Sequence, residues 1–314
     1  MIGKNLVEIF PINMRPMITQ IVMAEKDALQ EIRLRINQPL LIQVSGREYG
    51  LGEKGISTIT QAYRVQEADL KAIIKLMSGF SLYAMDEDWK QGFMTLEGGH
   101  RIGMVGQMVI ESGLVKTIKH VSAMNVRLAH EVIGCSKKVV PHLMARKGVY
   151  HTLIVSPPKC GKTTLLRDII RSLSNGLYGY EPYTVGVVDE RSEIAGCYRG
   201  IPQNDVGMRT DVLDRCPKVE GMRMLLRAMA PDVIAVDEIG NRKDLEAVEE
   251  VLSAGIAILC TTHGKDLNDC LKKPILSKMI QENWFDKVII LSDREGPCTI
   301  ENIIDLRKVK VGAI

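Results

Sequence analysis

The chain has 314 residues, enough for two domains of ordinary size with separate cores. With 46% hydrophobic and 25% charged residues it has the composition of a folded protein, not of a disordered one. Its 41 basic and 38 acidic residues leave a formal charge of +3 without any long block of like charges, too mild a bias to argue for a nucleic-acid partner.

Residues 1–22 contain Pro11 and Pro16 and no uninterrupted apolar core, so neither a signal peptide nor a membrane anchor is expected there. No apolar run approaches the roughly 18 residues that a spanning helix needs. The seven cysteines are scattered and never form a Cys-x-x-Cys pair, which points to reduced thiols in a cytosol.

Residues 1–134 read as a small α+β domain. Apolar and charged side chains alternate through Glu31, Ile32, Arg33, Leu34, Arg35 and Ile36, and Asn37-Gln38-Pro39 turns the chain into Leu40 to Val44, predicting a hairpin. Leu70, Ile73, Ile74 and Met77 lie at helical spacing ahead of a break at Gly79. Strands are predicted at Phe93 to Leu96 and Arg101 to Val109, joined by a turn at Gly98-Gly99.

The polar stretch Gly134-Cys135-Ser136-Lys137-Lys138 marks the expected boundary, with a second domain over 135–314. Beyond it short apolar strands alternate with longer helical segments. That pattern predicts an α/β fold, a mainly parallel sheet with helices on both faces. The predicted strands are Tyr150 to Val155, Thr184 to Val188, Val233 to Val236, Ile256 to Thr261 and Lys287 to Leu291.

Ligands of open parallel sheets bind outside the carboxyl ends of the strands, and four of these ends carry polar chemistry. The first runs through Ser156, Pro157, Pro158, Lys159, Cys160, Gly161, Lys162, Thr163 and Thr164 into a helix from Leu165 to Leu173. It reads as a phosphate loop (Walker A) for ATP. Backbone N–H groups and the helix N-terminus face the phosphates, Lys162 reaches the β and γ groups, and Thr163 ligates Mg²⁺. Ser156 stands where this motif usually has its first glycine, and Cys160 inside the loop raises the question of oxidation sensitivity.

The second end, Val233 to Val236 followed by Asp237 and Glu238, matches a Walker B segment. Asp237 would hold Mg²⁺ and Glu238 would orient or deprotonate the attacking water. The third, Asp189-Glu190-Arg191-Ser192-Glu193, sets three carboxylates in five residues, which repel unless a metal ion or cations offset them. The fourth places Thr261, Thr262 and His263 after a core strand, where an imidazole can donate to a phosphate or relay nucleotide state.

Taken together the four segments resemble the ATPases of type II and type IV secretion and pilus retraction, P-loop enzymes with a RecA-like core. Asp189 to Glu193 looks like their Asp box, Gly255 to Gly264 like their His box, and Leu225-Leu226-Arg227 with Pro231-Asp232 like the lead-in to Walker B. The chain is more closely similar to the stage III sporulation protein AA family. That resemblance rests on Glu31 to Arg35, Gly99 to Gly103, Ser156-Pro157-Pro158, and above all the run Val188 to Gly207 continued by Arg209 to Asp214.

The resemblance implies a mother-cell cytoplasmic ATPase, peripheral to the membrane, that drives a secretion-like channel between mother cell and forespore. It implies a ring hexamer and membrane-protein partners of the stage III sporulation complex. Glu238, Glu193, His263 and Arg227 are the catalytic candidates it suggests, with Arg101, Arg127 and Arg209 as further arginines that could reach a γ-phosphate. Two other readings share the same core: a nucleic-acid-stimulated ATPase or helicase loader, and a nucleotide-binding structural subunit with little turnover. With 4% aromatic residues and no interleaving of bases' stacking partners with cations, a nucleic-acid groove is not expected.

Overall fold

The computed structural model describes residues 6–78 and 92–308, so the expected break at Gly79 lies outside the described residues. The chain divides into two compact units, Met1–His130 and Glu131–Ile314. This division falls a few residues ahead of the break expected after residue 134. The physical reason is that Glu131 is used inside the second unit, where its carboxylate accepts the Asp205 N–H.

In the first unit, helix α1 (Arg15–Ala24) precedes strands β1 (Leu29–Arg35), β2 (Leu41–Val44), β3 (Arg47–Gly52) and β4 (Gly55–Ser57). Helix α2 (Glu67–Met77) follows, then β5 (Phe93–Thr95), β6 (Arg101–Glu111) and β7 (Leu114–Arg127). All strand pairs are antiparallel, in the order β4-β3-β2-β1-β7-β6-β5. The expected β1–β2 hairpin is present, with Asn37 at φ 61 making the turn. Alternation sends Ile32 and Leu34 into a core with Phe10, Ile18 and Ile73, while Arg33 and Arg35 take the other face. In the predicted helix, Leu70 and Ile73 are buried.

The second unit contains β8 (Thr152–Ser156), helix α3 (Lys162–Asn175), β9 (Val185–Asp189), β10 (Thr210–Asp214), helix α4 (Lys218–Ala228), β11 (Val233–Val236) and helix α5 (Arg242–Ser253). It continues with β12 (Ala257–His263), helices α6 (Leu267–Leu271) and α7 (Pro274–Gln281), β13 (Lys287–Ser292) and β14 (Thr299–Asp305). The sheet order is β10-β9-β11-β12-β8-β13-β14, parallel throughout except for the β13–β14 pair.

The central strands β8, β9 and β11 are buried at every position, and β12 at all but His263, because both faces are covered. Ile154, Val233, Ala235 and Leu259 pack with Leu165, Leu166, Ile169 and Leu173 of α3. Their neighbours in sequence, Val155, Ile234, Val236 and Ile258, pack with Met222 and Leu225 of α4, Val248 of α5 and Met279 of α7. Helices therefore lie on both faces, as the periodicity requires, and the carboxyl ends of β8, β9, β11 and β12 share one edge. Among the described residues no helix is long and apolar enough to cross a membrane.

Candidate active site

The chain leaves β8 at Ser156 and enters α3 at Lys162 through a loop whose positive φ angles fall at Lys159 (65) and Gly161 (88). Such alternation turns successive N–H groups toward one side, as an anion-binding turn at a helix N-terminus does. Ser156 is not among the residues with positive φ. It is the last residue of β8, paired with His263, and its carbonyl accepts the Gly264 N–H at 3.1 Å. Its hydroxyl turns to the Pro157 carbonyl at 2.8 Å. An extended strand residue has no need of glycine, which accounts for the departure from the usual motif. Pro157 and Pro158 carry the chain out of the strand, and Cys160 is buried with its thiol against the Pro158 carbonyl.

The start of α3 meets the end of β11 through two neighbouring pairs. Lys162 Nζ donates to Glu238 Oε1 at 2.9 Å, and Thr163 Oγ1 donates to Asp237 Oδ2 at 2.7 Å. Asp237 Oδ1 accepts the Thr261 hydroxyl, and the same Thr261 Oγ1 accepts the Glu238 N–H at 2.9 Å. Thus Thr261 of β12 holds the Asp237 carboxylate and the Glu238 main chain just beyond β11.

Glu238 is the hub. His263 Nε2 lies 2.7 Å from Oε1, and Arg191 Nη1 lies 2.9 Å from Oε2. Lys218 Nζ donates to the Glu238 carbonyl at 2.7 Å and pairs with Glu190 at 3.1 Å. Glu238 also sits at φ 54, a region costly for a residue with a Cβ. Partial burial pushes its carboxyl up, but Lys162, Arg191 and His263 outweigh that and hold it below the ordinary carboxylate range. His263 Nδ1 is buried and has no hydrogen-bond partner among the described residues.

The acidic segment after β9 is resolved by burial and cations. Asp189 is 1% exposed and accepts the N–H groups of Glu193 at 2.8 Å, Ile194 at 3.0 Å and Ala195 at 2.8 Å. Burial raises its carboxyl above the usual range, the three N–H groups oppose this, and nearby Asp214 adds to it. It shapes the loop from within. Glu193 is placed by its main chain, donating to Asp189 and accepting Arg167 Nη2 at 2.6 Å. Glu190 and Arg191 turn instead to Lys218 and Glu238.

Arg227 is not brought to this cluster. It is exposed near the C-terminal end of α4, whose first residue, Lys218, reaches Glu238. At 1.5 Å per residue the helix carries Arg227 roughly 13 Å along its axis, toward the opposite edge of the sheet. Arg209 is likewise engaged elsewhere, its guanidinium donating to the Ser174 carbonyl at 3.2 Å near the far end of α3. In the first unit Arg101 stacks on Phe93 at 3.8 Å, and Arg127 approaches Glu31 at 3.8 Å.

Four residues to which the motifs gave no role of their own complete the site: Arg167, Arg191, Lys218 and Thr261. Arg191 lies inside the acidic segment and Thr261 beside His263, so proximity in sequence was a usable signal for both. Arg167 follows Thr163 by one helical turn. Lys218 carries no such signal.

Thr163 and Asp237 form an oxygen donor pair of the kind a hard divalent cation takes. Among the described residues no group of three or more His, Cys, Asp or Glu side chains could hold a metal alone. Mg²⁺ keeps several waters and binds through one or two protein oxygens together with phosphate, and a Thr hydroxyl beside an Asp carboxylate is a donor set of that kind.

A mainly parallel sheet covered on both faces, with these pairs at one edge, defines a RecA-like α/β fold. The fold superposes on the ATPase DotB of Legionella pneumophila with a TM-score of 0.58 at 16% identity, covering 86% of this chain and 74% of that one. It superposes on the pilus retraction motor PilT, solved with bound ADP, with a TM-score of 0.57 at 16% identity, covering 86% and 76%. A family profile described as "Sporulation stage III, protein AA" matches residues 3–311. The chain is 38% identical over 302 residues to the stage III sporulation protein AA of Bacillus subtilis (strain 168), spanning 96% of this chain and 95% of that protein. It belongs to the stage III sporulation protein AA family.

Proposed function

We propose that the second unit binds ATP with Mg²⁺ and hydrolyses it, as the motor subunit of a secretion-like channel between mother cell and forespore. The observation that carries this reading is the double pairing of Lys162 with Glu238 and Thr163 with Asp237 at the mouth of the 157–161 loop. The loop N–H groups and Lys162 would hold the phosphates. Thr163 and Asp237 would hold Mg²⁺, which when bound neutralises developing phosphate charge.

Glu238 is a weak base while Lys162, Arg191 and His263 all face it. An anion that competes for Lys162 removes one of these cations and makes the carboxylate more basic, so phosphate binding and activation of Glu238 are linked. His263 then remains against Glu238 as a positioning group. Glu193, held by Asp189 and Arg167, sits in the loop that carries Arg191. Arg227 acts only from a neighbouring subunit, in the ring hexamer that the resemblance implies. Membership of the family supports membrane proteins of the stage III sporulation complex as partners, with the chain on the mother-cell cytoplasmic side and peripheral to the membrane.

Purified protein should hydrolyse ATP in the presence of Mg²⁺. Lys162→Ala should lose nucleotide affinity, whereas Glu238→Gln should keep binding and slow turnover by ~10²-fold or more. Equal rates in parent and both variants would remove the proposed site.

A further inference from the structure

In sequence Cys135 and Cys298 are two of seven scattered thiols, but the fold brings them together beside the 157–161 loop. Cys135 lies immediately before Ser136, whose N–H donates to Asp168 of α3 at 2.7 Å. Cys298 lies immediately before β14. The two thiols are near enough to perturb each other's ionisation. Each also addresses the first turn of α3: Cys298 Sγ donates to the Gly161 carbonyl at 3.3 Å, and Cys135 Sγ lies 4.0 Å from the Thr164 carbonyl. The Cys298 N–H donates to the Cys160 carbonyl at 2.9 Å. A Cβ on Gly161 would lie 2.6 Å from Cys298 Sγ, so the sulfur occupies the space which that glycine leaves.

Both cysteines are half-buried, whereas Cys160, Cys197, Cys260 and Cys270 are buried. Burial pushes the thiols of those four up and makes them poor nucleophiles. Cys298 moves the other way, because the neighbouring Cys135 thiol and the Arg167 guanidinium favour its thiolate against burial, while Cys135 is itself pushed up by Cys298 and by burial. Cys216, also half-buried, has its thiol near the Pro217 carbonyl at 3.7 Å and is raised by burial.

We propose that Cys135 and Cys298 form an oxidisable dithiol site, and that their disulfide loosens the loop that leads into α3. Its effect on nucleotide rests on the function proposed above; its formation does not. The oxidant is a small-molecule disulfide. The Cys298 thiolate attacks one sulfur and releases a thiolate. The Cys135 thiolate then attacks Cys298 Sγ in the mixed disulfide and releases the second. The protein loses two electrons and two thiol protons, and the small disulfide becomes two thiols. Bond formation withdraws the S–H groups from the Gly161 and Thr164 carbonyls and draws the Cys298 loop toward Cys135 across Gly161. Losing two weak hydrogen bonds at the loop corresponds to a fall in ADP affinity of about tenfold.

The test uses the full chain equilibrated with oxidised glutathione, mapped by mass spectrometry of peptides without reduction. A Cys135–Cys298 cross-link should appear, vanish with dithiothreitol, and be missing from Cys135→Ser and Cys298→Ser. Amide exchange in residues 157–165 should speed up on oxidation, in the absence of any nucleotide. Recovery of both cysteines unlinked while other thiols pair overturns the site. A cross-link that leaves amide exchange unchanged overturns the loosening. Titration with fluorescent ADP, before and after oxidation, separates the two readings. If the reduced chain fails to bind ADP, the proposed function falls, while the peptide map and amide exchange still decide the dithiol.

Discussion

Replacing Gly161 by alanine tests whether this glycine is required by the fold itself. Its φ is +88, where a residue with a Cβ costs about 1–2 kcal/mol. The new Cβ would also lie 2.6 Å from Cys298 Sγ and 2.8 Å from the Cys298 backbone nitrogen. Overpacking of that kind costs about 1–3 kcal/mol. The two terms give a loss of about 2–5 kcal/mol, a large share of the roughly 5–15 kcal/mol that holds a typical domain. Cys298→Ala in the Gly161→Ala background removes the sulfur contact alone and should recover about 1 kcal/mol, since the backbone contact and the φ remain. The assay is urea unfolding of a Trp89→Phe background, so that Trp284, packed on the α4/α5/α7 side of the second unit, is the reporter. A two-unit chain need not unfold in one step, so a local reporter is needed. A loss below about 0.5 kcal/mol, or full recovery by Cys298→Ala, would refute the reasoning.

Asp189→Ala should destabilise the second unit by about 2 kcal/mol or more, because it orphans the buried N–H donors of Ile194 and Ala195, at about 1–3 kcal/mol each, and the part-buried one of Glu193. The same unfolding assay measures it, and Glu190→Ala, which breaks a partly exposed pair with Lys218, should cost under about 1 kcal/mol. Glu238→Gln should lower the melting temperature at neutral pH by leaving Lys162, Arg191 and His263 without their shared anion. Because the folded Glu238 carboxyl lies below its ordinary 4.5, its contribution is complete above that pH and is lost as pH falls through the folded value. The melting gap between parent and variant should therefore close on acidification, and a gap that widens contradicts the pairing. Arg227→Ala in the isolated chain should leave ADP affinity within about twofold of the parent, as for any exposed residue away from the site; a tenfold loss by fluorescence titration would place Arg227 in its own subunit's site.

The central strands β8, β9, β11 and β12 were legible because a strand covered on both faces is built mainly of apolar residues, and such runs end where the sheet edge begins. The polar residues at those ends could therefore be named in advance, and Lys162, Thr163, Asp237, Glu238 and His263 do converge. The edge strands β10 and β14 were not legible. Half-covered strands tolerate Asp211, Asp214, Glu301 and Asn302, and their patterns look like loops.

By itself the sequence determined the order of the strands β8, β9, β11, β12 and β13 and the chemistry at four of their ends, since both follow from local periodicity and residue type. Only the tertiary structure decided which charges meet. Lys218 on Glu238 and Glu190, Arg191 on Glu238, Asp189 turned inward to three amides, and Cys135 beside Cys298 all depend on the crossovers of the parallel sheet. Those crossovers bring distant segments to one edge, and no local pattern encodes the distances between them.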